Sequence, residues 1–213
     1  MVIMYQSQDQ FFSGQLGLTM RYPAAETAEK HAKILQQAAR LFRQRGFSGV
    51  SVAEIMQATG LTHGPFYNHF SSKEALIKES FEQRADETLT DFEHAAATPE
   101  GLLAYIENYL STGHRDAPAD GCLVAALGAE ISREETVRPS LTRMVKTTLA
   151  RYTSCFPWRT KKEHRGDAIL ISAAMLGAVI LARAVDDEAL SREILQEVLA
   201  GIQAQAKLPE APR

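Results

Sequence analysis

Two cysteines in 213 residues, Cys122 and Cys155, are too few and too far apart for a disulfide framework. The six histidines are scattered, and no Cys/His cluster has the spacing of a zinc site. No run of 18 apolar residues occurs. The best candidate, 168–182, is too short and is followed by Arg183, so no membrane span is expected. A leader with a basic start, an apolar run and a small-residue cleavage site is also missing. No Ser-His-Asp order, phosphate loop or acid pair beside a histidine stands out. These absences argue against secreted, membrane, metal-dependent and catalytic classes. They leave a cytoplasmic protein that is not an enzyme, with no expected cofactor or metal.

What the chain does have is periodic apolar spacing. Its 45% apolar content is enough to bury a core in one large domain or two small ones. Ile34, Leu35, Ala38, Leu41 and Phe42 recur at three- and four-residue spacing, the pattern of a helix with one apolar face from about Thr27. Gly46 is placed to end that helix in a left-handed cap, with Phe47 folding back. Ser51-Val-Ala-Glu54 is a capping box for a short second helix that closes at Thr59-Gly60. Thr62 is the expected N-cap of a third helix, whose Phe66 and Phe70 share one face. Ser71 or Ser72 then caps a fourth helix running to about residue 97. Beyond Pro99 nothing alternates as strands do, and 102–110, 122–131, 139–156, 166–183 and 190–205 all read as helices. The expected fold is all-α, about nine helices, with the fourth joining a small head to a larger bundle.

The net charge of -3 is unevenly spread. Residues 29–80 carry seven Lys/Arg against four Asp/Glu, and residues 81–213 carry fifteen against twenty. A basic head on an acidic body suits a protein that touches a polyanion with one end, although an excess of this size also arises by ordinary variation. Between the glycine turn at Gly60 and Lys73, the stretch Thr62 to Phe70 makes a very short helix braced by the one before it. That is how a chain sets a compact helix against DNA.

The ordered elements Ile34-Leu-Gln-Gln-Ala-Ala-Arg-Leu-Phe42, Arg45-Gly-Phe47, Ser51-Val-Ala-Glu-Ile55, Ala58-Thr-Gly60, Gly64, Phe66-Tyr-Asn-His-Phe70 and Lys73-Glu-Ala-Leu76 are similar to the DNA-binding region of the TetR/AcrR family of one-component transcriptional regulators. The resemblance covers some forty-five residues. It implies a homodimer with an N-terminal helix-turn-helix, a double-stranded operator as partner, and repression relieved by a small-molecule effector. The expected boundaries are a flexible extension over 1–26, a DNA-binding head over 27–72, an effector-binding and dimerisation body over 73–206, and a tail over 207–213. Met20 is a candidate alternative start. The rival reading is a helical ligand-binding or protein–protein adaptor dimer that lacks sequence preference on DNA.

The resemblance assigns phosphate contact to Tyr67 and Lys73. A hydroxyl on a stiff arm and a lysine in the positive first turn of a helix suit that role. Ser51 and Thr62 divide their hydroxyls between capping and phosphate. His69 faces either DNA or the first helix. Gly64 fits close approach of backbone to DNA or to the second helix. Pro65 stands where many members carry Thr, Ser or Ala, and at the expected N3 position it costs little. The stretch lacks Arg and Lys, so base reading falls to His63, Asn68, His69 and apolar contact.

An effector pocket is expected among the middle helices, lined from Phe81, Leu89, Tyr105, Tyr109, Cys122, Leu127, Met144, Tyr152, Phe156 and Met175. Each of these is equally at home in an ordinary core. Cys122 begins a helix, which lowers a thiol pKa and suits an electrophile or oxidant sensor; small-residue packing explains it too. Ile169, Ala173, Leu176, Gly177 and Ile180, with Leu195, Val198, Leu199 and Ile202, give the last two helices broad apolar faces suited to a two-fold four-helix interface.

Overall fold

The computed structural model describes residues 24–62, 64, 66–160 and 164–206. Among these it contains ten helices and no strand. The opening helix, α1 (Ala24–Arg45), takes in residues 24–26, which the sequence reading gave to the extension. The rest of that extension, Met20 and the tail over 207–213 lie outside the described residues. Ile34, Ala38 and Phe42 of α1 are fully buried, and Gly46 ends the helix at φ 76°, its amide bonded to Phe42 O at 2.7 Å. Phe47 folds back edge-on to Phe42 with ring centroids 5.4 Å apart.

The capping box of α2 (Val52–Thr59) is formed in full. Ser51 Oγ accepts from the Glu54 amide at 3.2 Å, and the Ser51 amide donates to Glu54 Oε2 at 2.8 Å. Gly60 closes α2 at φ 72°. The third helix, α3 (Phe66–His69), begins four residues after Thr62, too far for Thr62 to be its N-cap. Ser72, not Ser71, caps α4 (Lys73–Ala95) by accepting from the Ala75 amide at 3.2 Å.

The body follows as α5 (Pro99–Tyr109), α6 (Thr112–Asp116), α7 (Leu123–Ile131), α8 (Arg138–Cys155), α9 (Arg165–Ala184) and α10 (Glu188–Gln203). The five-residue α6 is the helix absent from the sequence reading. It has too few positions to show a periodic face, and polar contacts hold it. Arg115 is buried, donating to Ser191 Oγ at 2.8 Å and pairing with Glu188 at 3.0 Å, while Arg183 donates to the Arg115 and His114 carbonyls.

Two apolar cores result. The first joins α1 to α4 with Leu123, Leu127 and Ile131 of α7, so the N-terminal helices share their core with the body. The second lies among α5, α8, α9 and α10 around Ile106, Tyr152, Ile171 and Leu195. By length and composition α9 is apolar enough to cross a membrane, which the reading of 168–182 did not anticipate. In the fold it packs on α6, α7, α8 and α10.

Because the capping box fixes the start of α2, Ser51→Ala should cost about 1 kcal/mol. The thermal midpoint should fall by about 2–4 °C with helical content unchanged, measured by circular dichroism.

Candidate nucleic-acid interface and interior cavity

The outer face of α3 presents Tyr67, 67% exposed, and Asn68, also exposed, while Phe66 and Phe70 anchor the helix from beneath at 0% and 3%. Lys73 is the first residue of α4, where unpaired backbone amides supply positive partial charge. Ser51 is exposed at the start of α2, but its hydroxyl also donates to Glu54 Oε2 at 2.7 Å. Glu54 in turn takes a hydrogen bond from Arg45 at 2.5 Å. That bond, ahead of those from Ser51, holds the carboxyl at about 2. Thr62 is exposed. The expectations for His63 and Pro65 concern residues outside those described.

His69 is half-buried against α1, its ring 5.6 Å from His31, which itself stacks on Phe70 at 4.5 Å. Burial, then the nearby His31, lowers its pKa. Gly64 lies ahead of α3 and not within it. A Cβ at Gly64 would meet no heavy atom within 4 Å, which removes close approach to α2 as its reason.

A cavity of about 140 Å³ lies where the two cores meet. Leu89, Tyr105, Tyr109, Cys122, Met144, Tyr152 and Met175 line it, as the sequence reading grouped them. Phe81 and Leu127 do not: both are packed into the first core. Phe156 is packed against Trp158 with ring centroids 4.4 Å apart. The reading missed Thr88, Phe92, Thr148, Leu149 and Ser172. The missed Thr148 and Leu149 lie one helical turn from Met144 and Val145 of the same wall, so helical spacing from one named residue finds them.

Among the described residues no Asp, Glu, Lys, Arg or His lines this cavity. Burial, the first cause in each case, pushes the phenols of Tyr105, Tyr109 and Tyr152 up, so all three stay protonated. Tyr152 donates to Met175 Sδ at 3.3 Å, and the buried Ser172 Oγ has no hydrogen-bond partner among the described residues. Such a lining takes an uncharged, largely apolar ligand with a few hydrogen-bonding groups. Among the described residues no cluster suits a metal ion.

The cavity's Cys122 end is fixed by His114. Its Nδ1 donates to Tyr109 O at 2.7 Å, and its Nε2 accepts from the Cys122 amide at 3.0 Å, an arrangement that requires the neutral ring. Cys122 caps α7, its Sγ accepting from the Ala125 amide at 3.5 Å.

On α9, Ile169, Ala173 and Ile180 are exposed beside Leu170 and Leu181, at 66% and 55%, and Gly177 is partly exposed. Leu176 instead helps line the cavity. On α10, Val198 and Leu199 are partly exposed, whereas Leu195 and Ile202 are buried within the chain's own second core. The inner side of α10 packs on α9 and α5, which is why those two belong to the interior.

Burial, the leading cause, lowers the His114 pKa from 6.5. The neutral folded form is therefore favoured, and stability is full above the unfolded value and lost as pH falls through the folded one. The thermal midpoint should drop between pH 7 and pH 5, and drop less in His114→Gln, which gains no proton.

The tetR family model of bacterial regulatory proteins matches residues 34–80, which run from α1 through α3 into α4. The HTH-type transcriptional repressor DhaR of Mycobacterium sp. (strain GP1) is 28% identical over 127 residues, covering 57% of this chain and 63% of DhaR, so the chain spans less than two thirds of that relative. The crystal structure of reduced NemR from E. coli superposes with a TM-score of 0.73 at 22% identity, over 86% of this chain and all of that one. A TetR-family regulator from Agrobacterium tumefaciens gives a TM-score of 0.67 at 26% identity, over 82% and 97%. With the short α3 braced on α1, the capped α2 and the helical body in place, residues 34–80 match the tetR family of bacterial regulatory proteins, and the fold around them is similar to that of solved TetR-family regulators.

Proposed function

We propose that this chain is a dimeric one-component transcriptional regulator, a repressor that binds a palindromic operator through α3 and releases it when a small molecule enters the interior cavity. The observation that carries the reading is α3 itself, a four-residue helix anchored by two buried phenylalanines, with Tyr67 turned outward within the matched stretch. Tyr67 and Lys73 are the phosphate contacts in this reading, with Ser51, Thr62 and Gly64 beside them. Base reading falls to Asn68 in this reading, with His63 and Pro65 as sequence-based candidates for it, and His69 braces α3 on α1. The boundary at residue 73 separates the DNA-binding from the effector-binding part. Repression over activation is favoured by the DhaR relative, which is a transcriptional repressor.

Dimerisation is proposed through the α9 stripe of Ile169, Leu170, Ala173, Gly177, Ile180 and Leu181 with Val198 and Leu199 of α10. A Cβ at Gly177 or Gly201 would meet nothing within 4 Å inside the chain, leaving room for a second copy to approach closely. Two α3 helices must then stand about 34 Å apart, one turn of duplex, so a modest rotation of the heads breaks simultaneous docking.

The route from cavity to head is α7. Cys122 and Val124 at its start border the cavity, while Leu127 and Ile131 lie in the core shared with α1 to α4. Glu130, one residue from its end, accepts from the Phe47 amide at 2.6 Å. A ligand that displaces the start of α7 moves a helix packed on both parts, which supplies the differential contact a two-state switch needs.

Selection from randomised duplexes should enrich a palindrome. Recovery of duplexes with no shared sequence from folded dimer contradicts the reading and favours the adaptor alternative. Tyr67→Phe should weaken the selected operator about 25- to 100-fold for two lost hydrogen bonds, one in each head. Lys73→Ala, which removes one phosphate contact from each head, should lower the salt slope by about two. In sedimentation, Leu170→Glu with Leu181→Glu should raise the dimer dissociation constant about 100-fold or more, because an unpaired buried charge costs about 3 kcal/mol or more.

A further inference from the structure

An open cleft of about 560 Å³ lies between α1 and α4, bounded at one end by Asp120 of the loop before α7. It shares no residue with the apolar cavity. Four cations border it, Lys33, Arg40 and Arg43 from α1 and Arg84 from α4, against the carboxylates of Glu29, Glu87 and Asp120. Arg40 pairs with Asp120 at 3.4 Å and Arg84 with Glu87 at 3.2 Å.

Arg43 differs from these. It is 6% exposed, and its Nε donates to the Ala119 carbonyl at 2.5 Å. Its Nη1 is buried with no hydrogen-bond partner among the described residues, and the same is true of Arg84 Nε. Two guanidinium groups on facing helices thus each hold a donor that no acceptor among the described residues reaches. Leaving a buried charged donor unsatisfied is unfavourable. Burial first, then repulsion from Arg84, lowers the Arg43 pKa to about 10, which still leaves the group cationic at neutral pH. The planar guanidinium fork matches the oxygens of a phosphate or carboxylate.

We propose that this cleft binds a small oxyanion, through a phosphoryl or carboxylate group held jointly by Arg43 and Arg84. A DNA phosphate is a poor candidate for the same place. Arg84 stands eleven residues beyond Lys73, about 16 Å along α4 from the helix end proposed to meet the duplex. The bound ion would tie α1 to α4 and, through the Ala119 carbonyl already held by Arg43, to the loop that leads into α7. It is a second ligand site at the joint between head and body, with chemistry opposite to that of the apolar cavity.

The test uses the full chain with inorganic phosphate and, separately, succinate, at ionic strength held constant with sodium chloride. Calorimetry and the thermal midpoint are the readouts. One of the two anions should bind saturably, one per chain, in the millimolar range or tighter, and the tighter one identifies the group. Arg84→Gln should weaken it at least tenfold, Arg84→Lys less so, and Arg143→Gln not at all, since Arg143 is an exposed arginine paired with Asp86 on α4. Arg43→Gln should abolish binding; should that variant fail to fold, Arg84→Gln decides, because Arg84 is 27% exposed and tolerates the change. Absence of saturable binding of either anion to the native chain, or equal binding to Arg84→Gln, overturns the proposal and leaves the cleft to solvent.

Discussion

Glu130 of α7 sets its carboxylate against the end of α1, accepting the Phe47 amide at 2.6 Å in space that only a glycine at 46 leaves open. A Cβ at Gly46 would collide with that carboxylate, and the left-handed φ of 76° would disfavour any L side chain besides. The same glycine therefore ends α1 and admits the contact from the body. Leu123, Leu127 and Ile131 extend the contact into a continuous core, so the position of α3 depends on a helix sixty residues further along the chain.

The joint explains why the proposed switch does not need α4 alone to carry the signal. α4 does run through both cores, with Leu76 and Phe81 in one and Phe92 in the other. Yet the cavity lies at the seam between those cores, and its walls come from both. In the proposed switch, a ligand filling that seam would change how the cores sit against each other, a rigid-body change and not a local one.

The N-terminal region was legible in the sequence because its signals are local. Gly46, the Ser51–Glu54 box, Gly60 and the Phe66/Phe70 pair each act over four residues or fewer, and each is where the sequence placed it. Thr62 is not the cap, because α3 begins four residues beyond it. The body was legible in rhythm only. Its aromatic residues divide between cavity and core according to which helix they meet. Tyr152 lines the cavity, while Phe156, four residues on, packs on Trp158. Likewise Leu195 and Leu199 share one apolar pattern on α10, and only the packing on α9 and α5 decides which is interior. The α6 helix and the Arg115 network could not be read, because Ser191, Glu188 and Arg183, which hold them, lie 68 or more residues away.

The central claim is that the state of the cavity sets the grip of the head on DNA. It is tested without knowing the effector by filling the cavity from within. Ser172→Leu puts apolar volume where an unpartnered hydroxyl now stands at the cavity wall. Operator affinity of this variant, measured by fluorescence anisotropy on protein whose helical spectrum and dimer mass match the native chain, should fall at least tenfold. An affinity equal to that of the native chain, in a variant so folded, would contradict the account.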